Sequence, residues 1–261
     1  MKPRTIAIAT LAVLFAAKAT AAYGQGRFRN ISSVEFDYYS DERYGLVWED
    51  VFISPLPSGF YLLTAAEGTN TSFSDATGAR LGLAFDLPGD FYGEGSYTLE
   101  YDWGEESLLH TALLSATYES GSAMAGLSLT GEFTDSSAGG IVSPSLRYAL
   151  MPRLAIGTTV FMAFHHYVPD GNYFNFAMLG TGEYALAPKI WASLGGTFST
   201  VYEPENQFEK WSVLGGITVR PTAAVSVKSQ VEYTNAMRAE VNPHEIVSML
   251  LVLDIKLRRG E

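Results

Sequence analysis

LMPRLAIGTTVFMAFHHYVPDGNYFNFAMLGTGEYALAPK, residues 150–189, carries the pattern from which the fold is read. It opens on a tight turn at Met151-Pro152 and closes on another at Ala187-Pro188. Between them Leu154, Ile156, Val160, Met162 and Phe164 hold even positions, while Arg153, Ala155, Gly157, Thr159 and Ala163 fill most of the odd ones. A polar segment follows, residues 165–172. The chain then returns through Phe174, Phe176, Met178, Tyr184 and Leu186, all even, against Asn175, Thr181 and Glu183. Period-two alternation puts one row of side chains on each face of a strand. The stretch predicts a long antiparallel hairpin, with a short turn at its base and a longer loop at its tip.

The same punctuation recurs outward in both directions. Pro55-Leu56-Pro57-Ser58, Pro88-Gly89-Asp90, Ser120-Gly121-Ser122 and Pro221-Thr222 extend the series of turns. Their spacing of about 31–35 residues is that of two strands of roughly ten residues with a loop and a turn. A solenoid has a similar period, but here only the hydrophobic pattern repeats and no motif does. Polar segments at 40–44, 67–77, 103–106, 135–139, 203–208 and 235–244 read as the longer connections. The strands between alternate: Leu81, Leu83, Phe85 and Leu87 oppose Arg80, Gly82, Ala84 and Asp86, and Val225, Val227, Val231 and Tyr233 oppose Ser226, Lys228, Gln230 and Glu232.

Composition narrows the class. The chain of 261 residues has no cysteine, so neither disulfides nor a thiolate metal site hold it together. A formal net charge of -11 argues against a nucleic-acid partner. Residues 1–22 read as a secretory signal peptide: Lys2 and Arg4, an apolar run over 6–17, then Ala19-Thr20-Ala21 at cleavage spacing. Cleavage is expected between 21 and 25, leaving a short N-terminal segment at 23–30 and a single β domain over 31–258. No later apolar run is long enough for a membrane helix.

One apolar and one polar face per strand suits a soluble sandwich or a membrane barrel. Three features favour the barrel. The strands approach the 9–11 residues that cross a bilayer at a tilt. The polar rows are rich in Ser, Thr and Gly and sparsely charged. Tyr101, Tyr118, Tyr148, Phe164, Tyr184, Phe198, Trp211 and Tyr233 lie near strand ends on the apolar rows, as an aromatic girdle does. On these residues the chain resembles the Gram-negative outer-membrane β-barrels, a porin-like class. The resemblance implies short periplasmic turns, longer outer loops, a place in the cell outer membrane, and lipid and the barrel-assembly machinery as partners. One departure stands out: such barrels usually end on an aromatic residue, and this chain ends Leu257-Arg258-Arg259-Gly260-Glu261.

A strand on each side of every loop makes an all-β, transmembrane, up-and-down antiparallel barrel of about fourteen strands. Twelve remain if the weakest pair, around Val34 to Tyr38 and Leu46 to Ile53, lies outside the wall. Pro144 is expected to mark a bulge or a later strand start. A barrel of this size has an interior that mostly small inward residues leave to water. The expected function is therefore a channel for passive diffusion of small solutes.

Acids expected on the inner wall are Asp50, Asp86, Glu94, Glu100 and Glu132, with Glu35 and Asp37. The bases are Arg147, Arg153, Lys189, Lys210 and Lys228, with Arg220 and Lys256. The acids fall in the first half of the chain and the bases in the second, so a closed barrel would set one wall against the other. No catalytic residue, cofactor or metal site is assigned. His165-His166 are neighbours on a strand and point to opposite faces. His110 falls on the apolar row. A lipid- or peptide-hydrolysing barrel, or a structural or adhesive one, remains as the alternative.

Overall fold

A computed structural model describes residues 27–39, 44–71, 75–104, 106–167, 171–203, 206–238 and 244–258. The expected signal peptide (residues 1–22), residues 23–26 and the last three residues lie outside the described residues. Fourteen strands follow in order: β1 (Arg27–Tyr39), β2 (Tyr44–Pro55), β3 (Phe60–Thr71), β4 (Asp75–Leu87), β5 (Phe91–Asp102), β6 (Ser107–Ser120) and β7 (Ala123–Phe133). The second half comprises β8 (Ser137–Met151), β9 (Leu154–Tyr167), β10 (Gly171–Ala187), β11 (Ile190–Glu203), β12 (Asn206–Thr222), β13 (Val225–Arg238) and β14 (His244–Arg258).

Each strand pairs antiparallel with its neighbours in sequence, and β1 pairs with β14 from Arg27↔Arg258 to Tyr39↔Ile246. The sheet is therefore a closed barrel with no free edge. The count is fourteen. The pair expected to be weakest is part of the wall, with β1 starting at Arg27, ahead of position 31.

The barrel has no conventional core. Among the described residues the buried apolar side chains are mostly small, such as Ala76 and Ala84, and no large side chain is fully buried. Large apolar residues lie open on one face instead: Leu194 is 65 % exposed, Leu114 63 % and Leu81 61 %. A water-soluble chain does not present so continuous an apolar surface. Against lipid the same row is in a matching solvent, and the closed ladder satisfies the backbone internally.

Two expectations need correction. The tip segments are shorter than read, because strands run through most of the polar stretches; only residues 168–170 separate β9 from β10. Ladder bonding needs the backbone alone, so polar strand ends continue to pair beyond the apolar zone. Both ends of the barrel consequently carry short connections. Pro144 neither ends β8 nor bulges it: the register to β9 is the same at Val142↔Met162 and Ser145↔Thr159. The irregularities lie beside turns instead, at Ala149/Met151, Ala185/Ala187 and Val219/Thr222.

At the turn end a repeated backbone bond joins neighbouring hairpins. Asp90 O, Ser122 O, Arg153 O, Lys189 O and Ala224 O accept from the N–H of Glu119, Ala149, Ala185, Arg220 and Lys256 in turn. Arg153 and Lys189 thus hold equivalent places on this rim.

Candidate functional site

Closure sorts side chains into two rows of different chemistry. Arg29 of β1 lies near enough to Tyr92 of β5 to interact electrostatically, as Glu49 of β2 does with Glu94 of β5. Strands so far apart in the wall meet only across its concave side. These residues occupy the rows opposite the exposed Leu and Phe side chains, so the polar rows face inward.

By register the inner rows of β1 to β7 carry Glu35, Asp37, Glu49, Glu67, Asp86, Glu94, Glu100 and Glu132, with Arg29 and Arg80 as the bases. The inner rows of β8 to β14 carry Arg147, Lys210, Lys228 and Lys256, with Glu183, Glu232 and Asp254. Consecutive strands form each half of the wall, so the two sets face each other.

On the acidic half, Glu49 stands directly across from Glu67. Like charges so placed repel. Arg80 of β4 reaches over β3 to pair with Glu49. Gly78 lies opposite Glu67, and the Glu67 side chain fills the space a Cβ there would take. Gly78 in turn faces Glu100 on β5, which continues the acidic row.

On the other half, Arg147 Nη2 donates to Glu183 Oε2 at 2.7 Å. At the turn end Arg29 donates to both oxygens of Asp254, at 2.9 and 3.0 Å. Beside this pair a cavity of about 460 Å³ is lined by Lys189, Arg220 and Lys256. Lys189 Nζ donates to Pro221 O at 2.9 Å, and the Arg220 guanidinium stands 5.7 Å from the Trp191 ring centroid. Under β4 to β6 a second cavity, about 710 Å³, is lined by Asp86, Asp90, Tyr92 and Glu119.

Asp86, Glu94, Glu100 and Glu132 occupy the inner rows, as do Arg147, Lys210 and Lys228. Asp50 does not. It pairs with Ser32 and shares its row with Leu46 and Trp48, so it points outward, and Glu49 takes the inward place. Arg153 and Lys189 sit in turns at the rim. The named aromatics all lie on outer rows. Tyr118, Tyr148 and Tyr184 lie toward the turn end, and Tyr101, Phe164, Phe198, Trp211 and Tyr233 toward the other. Ring pairs such as Phe91–Tyr118 and Phe164–Phe174, with centroids 4.6 and 4.9 Å apart, bridge adjacent strands in these bands.

The sequence reading missed Glu49 and Glu67 as wall residues, the second because it was assigned to a loop. For the first, apolar residues on both rows of β2 leave Glu49 and Asp50 interchangeable until the pairing with β1 is known. It also missed an apolar inner patch, where Ile31 pairs with Val51 and Ile53 with Leu63. The histidines divide between faces. His165 packs inward over Gly139, His166 Nδ1 bonds Asn172 Oδ1 at 3.0 Å on the outer side, and His110 bonds Tyr97 there. Among the described residues no group of His and carboxylates is arranged to hold a metal ion.

A closed antiparallel barrel, apolar outside and charged within, defines the class: the fold is that of the outer-membrane β-barrel channels. No family model and no curated protein matches the chain. Solved structures do. The chain is similar to the monoaromatic hydrocarbon channel CymD, with TM-score 0.63 and 8% identity over 97% of this chain and 94% of that one. It is similar to an outer membrane channel from Pseudomonas putida F1, with TM-score 0.59 and 11% identity over 90% and 97%. An anion-selective porin from Comamonas acidovorans matches with TM-score 0.54 and 7% identity over 89% and 99%. At such identities the likeness is one of fold.

Proposed function

We propose that this protein is a porin-like channel of the outer membrane, passing small solutes by passive diffusion through a water-filled lumen with opposed acidic and basic walls. The observation that carries the reading is the split of inward charge between β1–β7 and β8–β14, on a fold shared with outer-membrane channels. A transverse field of this kind orders ions and polar solutes by charge as they pass. Fourteen strands enclose more space than eight, which side chains suffice to fill. Outer-membrane lipid, the barrel-assembly machinery and the permeating solute are the partners this reading needs. Catalysis has no part in it. The similar channels differ in preference, one being a monoaromatic hydrocarbon channel and one an anion-selective porin, so the solute follows from this chain's own wall.

The test is single-channel recording of the refolded protein in a planar bilayer. Discrete, ohmic conductance steps are expected. Correct insertion without conductance would overturn the reading in favour of a hydrolytic or structural barrel.

A further inference from the structure

The outer wall is apolar around most of its circumference, and β1 to β3 depart from this midway along the strands. Along β2 the outward row reads Tyr44, Leu46, Trp48, Asp50, Phe52, Ser54. Asp50 therefore places a carboxylate midway along a strand on the lipid side. Asn30 Nδ2 and Ser32 Oγ, on the outward row of β1, both donate to Asp50 Oδ1 at 2.7 Å. Its Oδ2 accepts no hydrogen bond among the described residues. Next to it on β3, Ala66, directly opposite Asp50, is 4 % exposed, Gly68 lies under the Trp48 indole, and Thr64 is the next outward residue on the other side of Ala66.

Acids on the lipid face of a barrel are destabilising, most at mid-depth. Ionisable groups that persist inside membranes face other protein or water. Two neutral donors on one oxygen reduce this penalty without removing it.

We propose that the outward face of β1 to β3 is where a second copy of this chain docks, side by side in the membrane. The patch is complementary to itself. It holds an open acceptor, Asp50 Oδ2, and on the adjacent strand a hydroxyl, Thr64, with no side-chain partner among the described residues. A two-fold axis along the membrane normal between β2 and β3 sets β2 of each copy against β3 of the other. Each Asp50 Oδ2 then accepts from the other copy's Thr64 hydroxyl, and the two-fold axis forms this bond twice. Lipid chains supply no donor, so lipid covering this face leaves Oδ2 unsatisfied. The inference rests on the outer wall facing lipid and not on conduction.

The chain has no cysteine, so engineered thiols report only on themselves. In full-length protein reconstituted into bilayers, Phe52→Cys, beside Asp50 on the outward row of β2 and part-exposed, is expected to form an intermolecular disulfide under mild oxidation. Leu194→Cys, on the far wall, is expected to stay uncrosslinked. Asp50→Leu is expected to weaken association about tenfold or more, the scale of one or two membrane hydrogen bonds. Native mass spectrometry from nanodiscs reads the association, and heat-modifiable gel mobility shows that the barrel is folded. Equal crosslinking at both positions, or a wild-type protein monomeric at every lipid dilution, overturns the proposal. If Asp50→Leu fails to fold, Thr64→Val takes its place, with the same loss of association expected. Tight association retained in a folded Thr64→Val variant also overturns it.

Discussion

Glu49 of β2 and Arg80 of β4 form an ion pair over the top of β3 on the inner wall, their side chains 33 % and 23 % exposed. The pair spans a strand whose own Glu67 stands opposite Glu49. Arg80 is thus the one base that the register sets among Glu49, Glu67, Glu94 and Glu100. Arg80→Ala is expected to increase preference for cations, read as a reversal potential moved toward the potassium limit in a potassium chloride gradient. Leaving Glu49 without its partner should also lower stability by about 1–3 kcal/mol, the range for breaking a charged hydrogen bond. An unchanged reversal potential in a folded variant would show that these acids do not border the conducting path.

The assignment of faces makes a sharper prediction on adjacent residues. Leu114 is 63 % exposed midway along β6, and Ser115 lies on the opposite row. Leu114→Arg puts a cation against lipid and is expected to destabilise by about 2–4 kcal/mol. Ser115→Arg places the same charge on the lumen side, where it should lower conductance and leave stability nearly unchanged. Urea titration of bilayer-inserted protein compares the two. A reversed order would mean that the two rows are exchanged.

Across the lumen, Arg147 and Lys228 occupy the basic half. Replacing both by Gln is expected to shift selectivity toward cations. Arg147→Gln contributes twice, because it removes a positive charge and also leaves the Glu183 carboxylate without its 2.7 Å partner. Both side chains of that pair are more than two-fifths exposed, so the stability change should stay within about 1 kcal/mol. Identical ion selectivity in the double variant would remove the transverse field from the account.

The limits of the sequence reading have the same physical origin as these charge effects. Alternation is plain where one row carries Leu and Phe and the other Gly, Ala, Ser or Thr with scattered charge, as in residues 80–87 of β4 and 125–133 of β7, and there the faces follow directly. On β2 the run Val47-Trp48-Glu49-Asp50-Val51 has apolar residues on both rows, because the lumen side carries an apolar patch of its own. Adjacent acids then look interchangeable, and only pairing of Trp48 with Val34 assigns Glu49 inward and Asp50 outward. Strand ends misled for a different reason. Beyond the apolar zone both faces meet water, so Glu67 and His165 sit in strands whose composition is that of loops. The turn-rich periodicity, by contrast, follows from the chain's need to reverse after every crossing, and it placed most of the strand pairs.

Two glycines separate wall packing from wall chemistry. At Gly93, on the outer row of β5, an added Cβ runs into the Phe85 ring, which lies across the strand from it. An aromatic laid over a glycine in this way stabilises the sheet. Gly93→Ala forces the ring aside and is expected to cost about 1–3 kcal/mol, as overpacking does, without altering selectivity. At Gly78, on the inner row, the added Cβ meets the Glu67 carboxylate, the mobile end of a flexible side chain. Gly78→Ala should leave stability nearly intact and push that carboxylate into the lumen, changing conductance and cation preference together. Folding titrations and bilayer recordings on the two variants give opposite patterns if the rows are assigned correctly. A loss of stability in Gly78→Ala matching that in Gly93→Ala would mean that Glu67 is fixed in the wall and is no part of the conducting surface.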